Sequence, residues 1–413
     1  MYSLRRFGIK LGIDIIVGIL DNLDNPQKSF ECIHIAGTNG KGSIASALAT
    51  ILNKAGYKVG LYTSPHLVRF NERILINNTP ISNENIINAY QKILSVNSGD
   101  REPTFFEFVT AMAFYEFGKA GVDIAVIETG MGGRLDATNI ITPKISIITN
   151  ISMEHQAYLG NSLVEITGEK GGIIKPEIPV ITGVKQKSAF RVIEKLAAKN
   201  KAPLYQLGKE FRVRRNSKGQ FTYFGIRNTW RNMQTSLDGN YQVDNAAITL
   251  AACEILNESQ INLEQEHIKQ GLKDNIWPGR LEVAATSPFV LLDGAHNLMA
   301  ARNLGRYLIE RMNNRHLTMV VGILDDKPVK PMLKNLLSTC DRAILTQPAI
   351  DRALPPQKLY RFAKEFISDI KMIPSVADAV NYAVKTAGPE DAICIAGSLY
   401  VVGEAKTALE KLF

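Results

Sequence analysis

A glycine-rich segment stands between an apolar run and a helical pattern, and it reads Gly37-Thr38-Asn39-Gly40-Lys41-Gly42-Ser43. Glycines let backbone N–H groups approach phosphate oxygens closely, and the start of a helix adds a favourable dipole. Lys41 can place a positive charge on the terminal phosphates, and a nearby hydroxyl can bind Mg²⁺. The segment departs from the general phosphate-loop pattern, because Ile35 replaces its first glycine and Gly42 separates Lys41 from Ser43. A plain glycine-rich turn is the alternative, but the flanking strand and helix favour a phosphate site.

Three further polar residues, Ser64, Glu128 and His155, each follow a candidate strand. The carboxyl ends of parallel strands meet at one edge of a sheet, so all three would project there. A carboxylate such as Glu128 beside a phosphate loop can hold Mg²⁺, and three of the four residues from 130 to 133 are glycines. The structural interpretations are a turn for Ser64, a capped strand end for Glu128 and a structural role for His155. The pattern favours a metal role for Glu128 and leaves the other two open.

Two more segments combine charged residues with turn residues. Residue chemistry alone would treat Lys170, within Gly168–Lys175, as a solvated surface lysine. In the second half of the chain, Asp293-Gly294-Ala295-His296-Asn297 again joins a strand end to a helix start. An aspartate, a histidine and an asparagine at one strand tip favour binding over a simple helix cap by Asn297.

The elements that must position these residues alternate regularly from residue 30 onwards. The candidate strands lack polar alternation, as strands buried on both faces do. They are Glu31–Ile35, Lys58–Tyr62, Asp123–Ile127, Lys144–Thr149, Pro179–Ile181, Phe289–Leu292, Thr318–Ile323, Ala343–Thr346 and Ala392–Ile395. The candidate helices are Ser43–Ala55, Asn83–Leu94, Phe105–Ala120, Ala189–Asn200, Ala300–Met312 and Ser375–Lys385. This repetition predicts the α/β class, with parallel sheets and crossover helices.

A break at Ile276–Leu281, where a proline and a glycine interrupt the pattern, predicts two α/β domains. The expected boundaries are 1–278 for an ATP-binding domain, 279–288 for a linker and 289–413 for a second domain. A cleft between two domains is a favoured place for a binding site. The stretch Phe211–Asn232 differs in composition; it hints at a β-hairpin and is interpreted as a surface excursion.

The composition excludes several classes of protein. Hydrophobic residues make up 45% and charged residues 21%, so wholesale disorder is excluded. Lys and Arg number 48 against 40 Asp and Glu, and this charge of +8 fits an anionic ligand as well as nucleic acid. Four widely spaced cysteines favour neither disulfides nor zinc, but a reducing compartment.

The N-terminal stretch does not look like a targeting segment. Arg5 and Arg6 precede apolar residues, but Lys10 and Asp14 interrupt them, and Ile13–Leu20 has helical spacing instead. No segment is long and apolar enough to span a bilayer. We therefore expect a cytoplasmic protein without a membrane partner.

The ordered set of motifs resembles the folylpolyglutamate synthase / dihydrofolate synthase family of the Mur ligase superfamily. The matching segments are Gly37–Ser43, Ser64–Leu67, Thr104–Glu107, Glu128–Asn139, Glu169–Lys175, Trp277–Glu282, Asp293–Asn297 and Gly397–Tyr400. Each motif alone is weak to moderate, but the ordered set is very specific. The family form of the glycine-rich segment also accounts for its departure from the general pattern.

The resemblance implies a fold and an activity. The fold is an N-terminal P-loop ATPase-like domain with a parallel sheet, followed by a smaller Rossmann-like ligase domain. The activity is an ATP-dependent amide ligation that adds L-glutamate to dihydropteroate, to the terminal glutamate of reduced folates, or to both, through an acyl phosphate. ATP is a co-substrate, Mg²⁺ occupies two sites, and a monomer is expected.

The resemblance also implies roles for individual residues. The ATP-binding positions are Gly37, Thr38, Asn39, Gly40, Lys41, Gly42, Ser43, Asn245, Arg280 and Asp293. Ser64, Glu128, His155 and Lys170 match magnesium-binding positions and should converge beside the phosphate loop, with Lys170 carbamylated by CO₂. His296 matches a residue at the reaction centre, so Lys41, Lys170 and His296 form the expected catalytic set. Two departures from the family pattern, Gly171 and Met153-Glu154, concern local packing and pterin contacts.

Other functions make different predictions. A Mur-type ligase acting on another carboxylate stays open, whereas a cell-wall ligase would need a further domain before Gly37. A nucleic-acid-stimulated ATPase would need a concentrated basic face with stacking aromatics, but the charges are interspersed, so no nucleic acid partner is expected. A non-catalytic nucleotide-binding protein would not be expected to keep Lys41, Glu128, His155 and Lys170 together. Whether the enzyme adds the first glutamate, later ones or both is left open.

Overall fold

The computed structural model describes residues 12–97, 101–216, 219–312 and 314–413. The chain divides into two compact units. The second unit is formed by Trp277–Phe413 with two short segments, Leu67–Arg69 and Leu237–Tyr241, and the first unit by the rest of the chain up to Ile276. Arg5, Arg6 and Lys10 lie outside the described residues.

The first unit is built on an eight-stranded sheet with the order β4-β3-β2-β5-β1-β6-β7-β8. Its strands are β1 Glu31–Ala36, β2 Val59–Tyr62, β3 Ile74–Ile76, β4 Thr79–Pro80, β5 Ile124–Glu128, β6 Ile145–Ile148, β7 Val180–Thr182 and β8 Leu204–Gln206. All neighbours pair in parallel except β3 and β4 at one edge. Strands β2, β5 and β6 are buried throughout, which explains why their sequences lack polar alternation.

Helices cover this sheet. They are α1 Asp14–Asp21, α2 Lys41–Lys54, α3 Asn83–Val96, α4 Phe105–Ala120, α5 Gln156–Leu159, α6 Leu163–Gly171, α7 Lys187–Lys199, α8 Asn240–Glu258 and α9 Gln265–Asp274. Helix α4 begins with a capping box, in which Thr104 Oγ1 accepts from the Glu107 N–H and the Glu107 carboxylate accepts from the Thr104 N–H. The helices predicted from periodicity are confirmed to within two residues at each end.

The stretch around residues 211–233 is a small folded layer. Its strands β9 Arg212–Arg215, β10 Phe221–Phe224 and β11 Thr229–Met233 form an antiparallel sheet. The buried Glu254 carboxylate accepts hydrogen bonds from the Tyr223 hydroxyl at 2.8 Å and the Ile226 N–H at 2.7 Å. The hairpin indication is confirmed, but the surface-excursion interpretation is wrong, because aromatic side chains bury one face of this sheet against α8.

The second unit contains a six-stranded sheet with the order β12-β13-β17-β14-β15-β16. Its strands are β12 Glu282–Thr286, β13 Phe289–Leu292, β14 Leu317–Val321, β15 Arg342–Gln347, β16 Ile370–Ser375 and β17 Ala392–Ala396. Its helices are α10 Leu298–Met312, α11 Val329–Leu337, α12 Pro356–Ala363, α13 Val376–Thr386 and α14 Leu399–Leu409. The parallel order β13-β17-β14-β15-β16 with intervening helices is Rossmann-like, so the α/β expectation is confirmed.

The segment 279–288, expected to be a linker, instead contains β12, which pairs antiparallel with β13 at the edge of the second sheet. A short antiparallel edge strand lacks the apolar run by which the buried strands were predicted. Among the described residues, no helix is long and apolar enough to cross a membrane.

Candidate active site

The glycine-rich loop joins β1 to α2, and the end of β6 holds its shape. The N–H groups of Thr38 and Asn39 donate to the Asn150 carbonyl and to Asn150 Oδ1, at 2.8 and 3.0 Å. The Asn39 carbonyl accepts from Thr149 Oγ1 at 2.6 Å and from Asn150 Nδ2 at 2.8 Å. The first N–H groups of α2 have no partner within the helix. They can therefore donate to an anion placed over the loop.

Two glycines of this loop are required by crowding as well as by backbone conformation. Gly40 has φ +85°, and a Cβ there would lie 2.6 Å from Asn245 Oδ1. Gly37 has φ +145°, and a Cβ there would lie 1.9 Å from Thr149 Oγ1. Asn245 belongs to α8 and donates to Gln242 Oε1 at 2.8 Å. A residue more than 200 positions from the loop therefore packs directly against it.

Lys41, Glu128 and Ser64 lie along the edge formed by β1, β5 and β2. Lys41 Nζ donates to the Gly37 carbonyl at 3.2 Å and is 3.7 Å from Glu128 Oε1. The other carboxylate oxygen of Glu128 accepts from the Ser64 N–H at 3.3 Å. A carboxylate, a cation and a hydroxyl-bearing residue thus meet beside the phosphate loop.

Lys170 is buried, with 3% of its surface exposed, so the solvated-lysine interpretation from residue chemistry is wrong. Helix α6 aims its Nζ at the Gly37 carbonyl, to which it donates at 2.8 Å. Burial lowers the pKa of Lys170 to about 7, and the Lys41 charge lowers it further, whereas Glu154, Asp136 and Glu128 act in the opposite direction. At neutral pH a large fraction of this amine is therefore uncharged and nucleophilic.

His155 stands at the start of α5 in the left-handed backbone region, with φ +53°. Its Nε2 lies 3.9 Å from Glu154 Oε1, and about a third of the side chain is exposed. Glu154 is buried and its charge also reaches Lys170. His155 therefore connects to the loop through Glu154 and Lys170.

The loop after Glu128 is held by a buried carboxylate. Asp136 accepts from the Met131 N–H at 2.8 Å and from the Thr138 hydroxyl at 2.6 Å. Burial raises the pKa of Asp136, while these hydrogen bonds oppose the rise. A Cβ at Gly133 would lie 2.7 Å from the Lys170 carbonyl, so the glycines let this loop pack against the Lys170 segment.

One cluster at the same edge was missed by the sequence analysis. Arg73 is buried, donates from Nε to His66 Nδ1 at 2.8 Å, and stacks 5.3 Å over the Phe105 ring. Phe70 packs edge-on against both Phe105 and His66. The motif Ser64–Leu67 pointed to this place, but no local pattern around residue 73 marked an arginine that would be buried.

The second unit gathers the residues that follow β13. Asp293 accepts from the Leu281 N–H at 3.0 Å and the Ala295 N–H at 2.9 Å, and burial raises its pKa against the charge of Arg280. Arg280 Nη1 donates to the Gly294 carbonyl at 3.2 Å. His296 Nδ1 lies 2.8 Å from the same carbonyl, which can only accept, so the ring proton of neutral His296 is on Nδ1.

The donor atoms at the loop fit a hard cation. Within the described residues there is no group of three or more His, Cys, Asp or Glu side chains that could hold a metal ion. The available ligands are instead the Glu128 carboxylate and the Ser64 hydroxyl. Mg²⁺ prefers oxygen ligands and is often bound by one or two carboxylates together with substrate phosphates. The site therefore fits Mg²⁺ that binds with a nucleotide.

A phosphate loop on a parallel sheet, followed by a Rossmann-like unit, defines an ATP-dependent ligase of the Mur type. Residues 35–253 match the Mur ligase middle domain family, and residues 279–399 match the Mur ligase glutamate ligase domain family. The dihydrofolate synthase/folylpolyglutamate synthase of Bacillus subtilis is 35% identical over 99% of this chain and 97% of its own length. The chain belongs to the folylpolyglutamate synthase / dihydrofolate synthase family and is an ATP-dependent acid–amino-acid ligase.

Solved structures agree with this assignment. FolC from Escherichia coli, in complex with DHPP and ADP, has a TM-score of 0.92 at 30% identity and covers 100% of this chain and 97% of its own. The bifunctional synthase from Yersinia pestis, complexed with AMPPNP and a Mn ion, has a TM-score of 0.88 at 30% identity and covers 98% and 94%. The family resemblance and the fold predicted from the sequence are confirmed.

Proposed function

We propose that the protein uses ATP to join L-glutamate to dihydropteroate, to the terminal glutamate of a reduced folate, or to both. The observation that carries this proposal is the set of contacts that brings Lys41, Glu128 and Ser64 together beside the phosphate loop. Relatives solved with ADP and with DHPP support it. ATP, glutamate and the acid are all anionic, which suits a chain with a net charge of +8.

The chemistry explains why a phosphate loop is needed. A carboxylate is a poor electrophile, because its oxygen is a poor leaving group. Transfer of the γ-phosphoryl group of ATP to that oxygen gives an acyl phosphate and ADP. The neutral amine of glutamate then attacks the acyl carbon, phosphate leaves, and an amide forms. Positioning and charge stabilisation carry most of the catalysis in such a transfer.

Roles on the nucleotide side follow from the loop geometry. The N–H groups of Gly40–Ser43 donate to phosphate oxygens, and Lys41 neutralises charge on the transferring group. Thr38 and Asn39 keep the loop in shape through Asn150. Asn245, which packs on Gly40, contacts the nucleotide from the first unit, and Arg280 and Asp293 do so from the second.

We assign the metal ligands to Ser64, Glu128, His155 and a carbamylated Lys170, with Mg²⁺ in two sites. Bound Mg²⁺ neutralises charge on the γ-phosphoryl oxygens. The uncharged Lys170 amine can attack CO₂, forming an N–C bond and releasing a proton to leave a carbamate anion. A ¹³C carbamate resonance should therefore appear under ¹³CO₂ and be absent from Lys170→Met; its absence from the wild-type protein would remove this ligand.

His296 is the residue we assign to the reaction centre from the second unit. Its Nδ1–H donates to the Gly294 carbonyl, so the neutral ring has its lone pair on Nε2. That nitrogen can accept a proton from the glutamate ammonium group before the amine attacks. We also propose a cytoplasmic monomer. The four cysteines are free thiols, which suits a reducing compartment.

The test is a ligation assay with ATP and L-glutamate in which dihydropteroate and tetrahydrofolate are compared as acceptors. We expect ADP and a glutamylated product with at least one of them. The ratio of kcat/KM values decides between the first and the later additions. Ligation of neither acid, with ADP released on some other carboxylate, would favour the alternative of a Mur-type ligase with a different substrate.

A further inference from the structure

Arg73 is a buried arginine for which the nucleotide chemistry gives no role. It is 5% exposed, immediately precedes β3, and stacks on the Phe105 ring. Burying a guanidinium group is costly unless it is paired and hydrogen-bonded. One of its bonds is unusual, because Nε donates to a neutral ring nitrogen, His66 Nδ1, at 2.8 Å.

This hydrogen bond determines where the proton of His66 is. An arginine can only donate, so Nδ1 must be the accepting nitrogen. A neutral imidazole has one protonated nitrogen, and in His66 this must be Nε2. Arg73 thus turns His66 into a hydrogen-bond donor of fixed orientation, and edge-on packing by Phe70 restricts the ring further.

The sheet order places this donor on one side of the candidate metal site. Along the edge, the phosphate loop follows β1, Glu128 ends β5, His66 follows β2 and Arg73 precedes β3. The Thr63 N–H donates to the Arg73 carbonyl at 3.1 Å, so Arg73 lies at the same edge as the end of β2. His66 and Arg73 therefore lie beyond Glu128 as seen from the phosphate loop.

The acceptor of a phosphoryl group approaches roughly in line with, and opposite to, the leaving group. Because the loop holds the ADP side, the acid must come from the side of β2 and β3. We propose that Arg73 is a positioning residue that holds His66 as an Nε2–H donor to the carboxylate of the acid substrate. This inference rests on the proposed function, since it names the acid as the ligand.

The first test does not depend on activity. Protein labelled with ¹⁵N-histidine is examined by long-range ¹H–¹⁵N correlation, and His66→Gln assigns the His66 signals. We expect His66 in the Nε2–H form in the wild-type protein and a mixture of forms in Arg73→Met. An Nδ1–H form in the wild-type protein, or the same form in both proteins, would overturn the proposal.

The second test separates binding of the acid from binding of ATP. Arg73→Met should raise KM for the acid about tenfold or more, as expected for an impaired charge-assisted contact, and leave KM for ATP within about twofold. Arg73→Lys keeps the charge near Phe105 but not the planar fork, and should show the same direction if Arg73→Met does not fold. Equal losses for ATP and the acid would indicate a merely structural residue.

Two further variants make the test specific. Arg342 also donates from Nε at 2.8 Å, to Asp369 in the second unit, so Arg342→Met removes the same kind of contact elsewhere and should leave both KM values unchanged. In a His66→Gln background, whose amide can still donate, Arg73→Met should have a smaller effect on KM; an undiminished effect would contradict action through His66. If the wild-type protein ligates neither acid, the proposed function fails, and the tautomer measurement still decides whether Arg73 controls His66.

Discussion

Lys41 and Lys170 both donate to the Gly37 carbonyl, yet they have opposite relations to solvent and charge. Lys41 is partly exposed and 3.7 Å from the Glu128 carboxylate, so it is available to a phosphate that enters the loop. Lys170 is buried, and burial together with the Lys41 charge lowers its pKa to about 7. One carbonyl therefore holds a cation suited to phosphate and an amine suited to modification.

Replacing Lys41 tests the phosphate role at single-residue resolution. Lys41→Met should lower the rate of ADP formation about 100-fold or more, because a charge that stabilises the transferring phosphoryl group is lost. Lys54 lies on the same helix and forms an exposed ion pair with Asp274 at 2.7 Å, so Lys54→Met is the matched control and should keep its activity. A coupled ADP assay on both variants checks this, and an active Lys41→Met enzyme would contradict the account.

The residues of the candidate site differed in how far the sequence could predict them. The loop around Lys41 is a local pattern, and Glu128 ends a recognisable apolar strand, so both could be proposed from residue chemistry. Lys170 could not, because its burial depends on how α6 packs against the phosphate loop. Arg73 was missed for the same reason, since its contact with His66 forms only when β3 pairs with β2.

At the scale of elements, α2 begins at Lys41 rather than at the predicted Ser43, with Gly40 as its cap in the left-handed region. The first turn of the helix is therefore part of the phosphate loop itself. The short strands β3, β4 and β12 were not predicted, because two to five residues at a sheet edge leave no clear periodicity. The buried parallel strands were predicted well because burial on both faces demands continuous apolar runs.

The two ends of α2 provide a matched test of the loop. Gly40 and Gly56 both have positive φ, +85° and +91°, but only Gly40 has a neighbour that a Cβ would strike. We expect Gly40→Ala to weaken ATP binding at least about tenfold, whereas Gly56→Ala should cost about 1 kcal/mol of stability and leave binding intact. Calorimetric titration and thermal unfolding measure the two effects. Equal ATP affinities for the two variants would be inconsistent with a crowded loop.

The central strand β1 predicts a pH dependence of stability. His34 is fully buried, with Nε2 2.8 Å from Thr138 Oγ1, and burial lowers its pKa to about 3 from 6.5, with a smaller contribution from Lys175. Below pH 6.5 the unfolded histidine binds a proton that the folded one refuses. Its stabilising contribution is therefore complete above pH 6.5 and is lost progressively towards pH 3.

At pH 5 this loss amounts to about 2 kcal/mol relative to pH 7. His34→Gln, which keeps a polar atom near Thr138 but does not titrate, should remove that part of the pH dependence. Urea unfolding followed by the fluorescence of the buried Trp230, in a Trp277→Phe background, reports on the first unit. His316→Gln, at an exposed histidine of the second unit, is the control. Identical pH profiles for His34→Gln and the wild-type protein would refute this assignment.

At the scale of the whole molecule, the proposed residue set is divided between the two units. The first unit carries the phosphate loop and the candidate metal ligands, and the second carries Arg280, Asp293 and His296. The sequence predicted two α/β domains from the break near residue 278. It did not predict β12, nor the short segments Leu67–Arg69 and Leu237–Tyr241 that belong to the second unit, because such contacts depend on tertiary packing.

The central claim is that the terminal phosphoryl group of ATP is transferred to the carboxylate of the acid. Ligation of acid labelled with ¹⁸O in that carboxylate tests this directly, with mass analysis of the phosphate released. The account predicts one ¹⁸O atom from the carboxylate in each phosphate, together with ADP. Unlabelled phosphate accompanying the amide, or release of AMP and pyrophosphate, would contradict it.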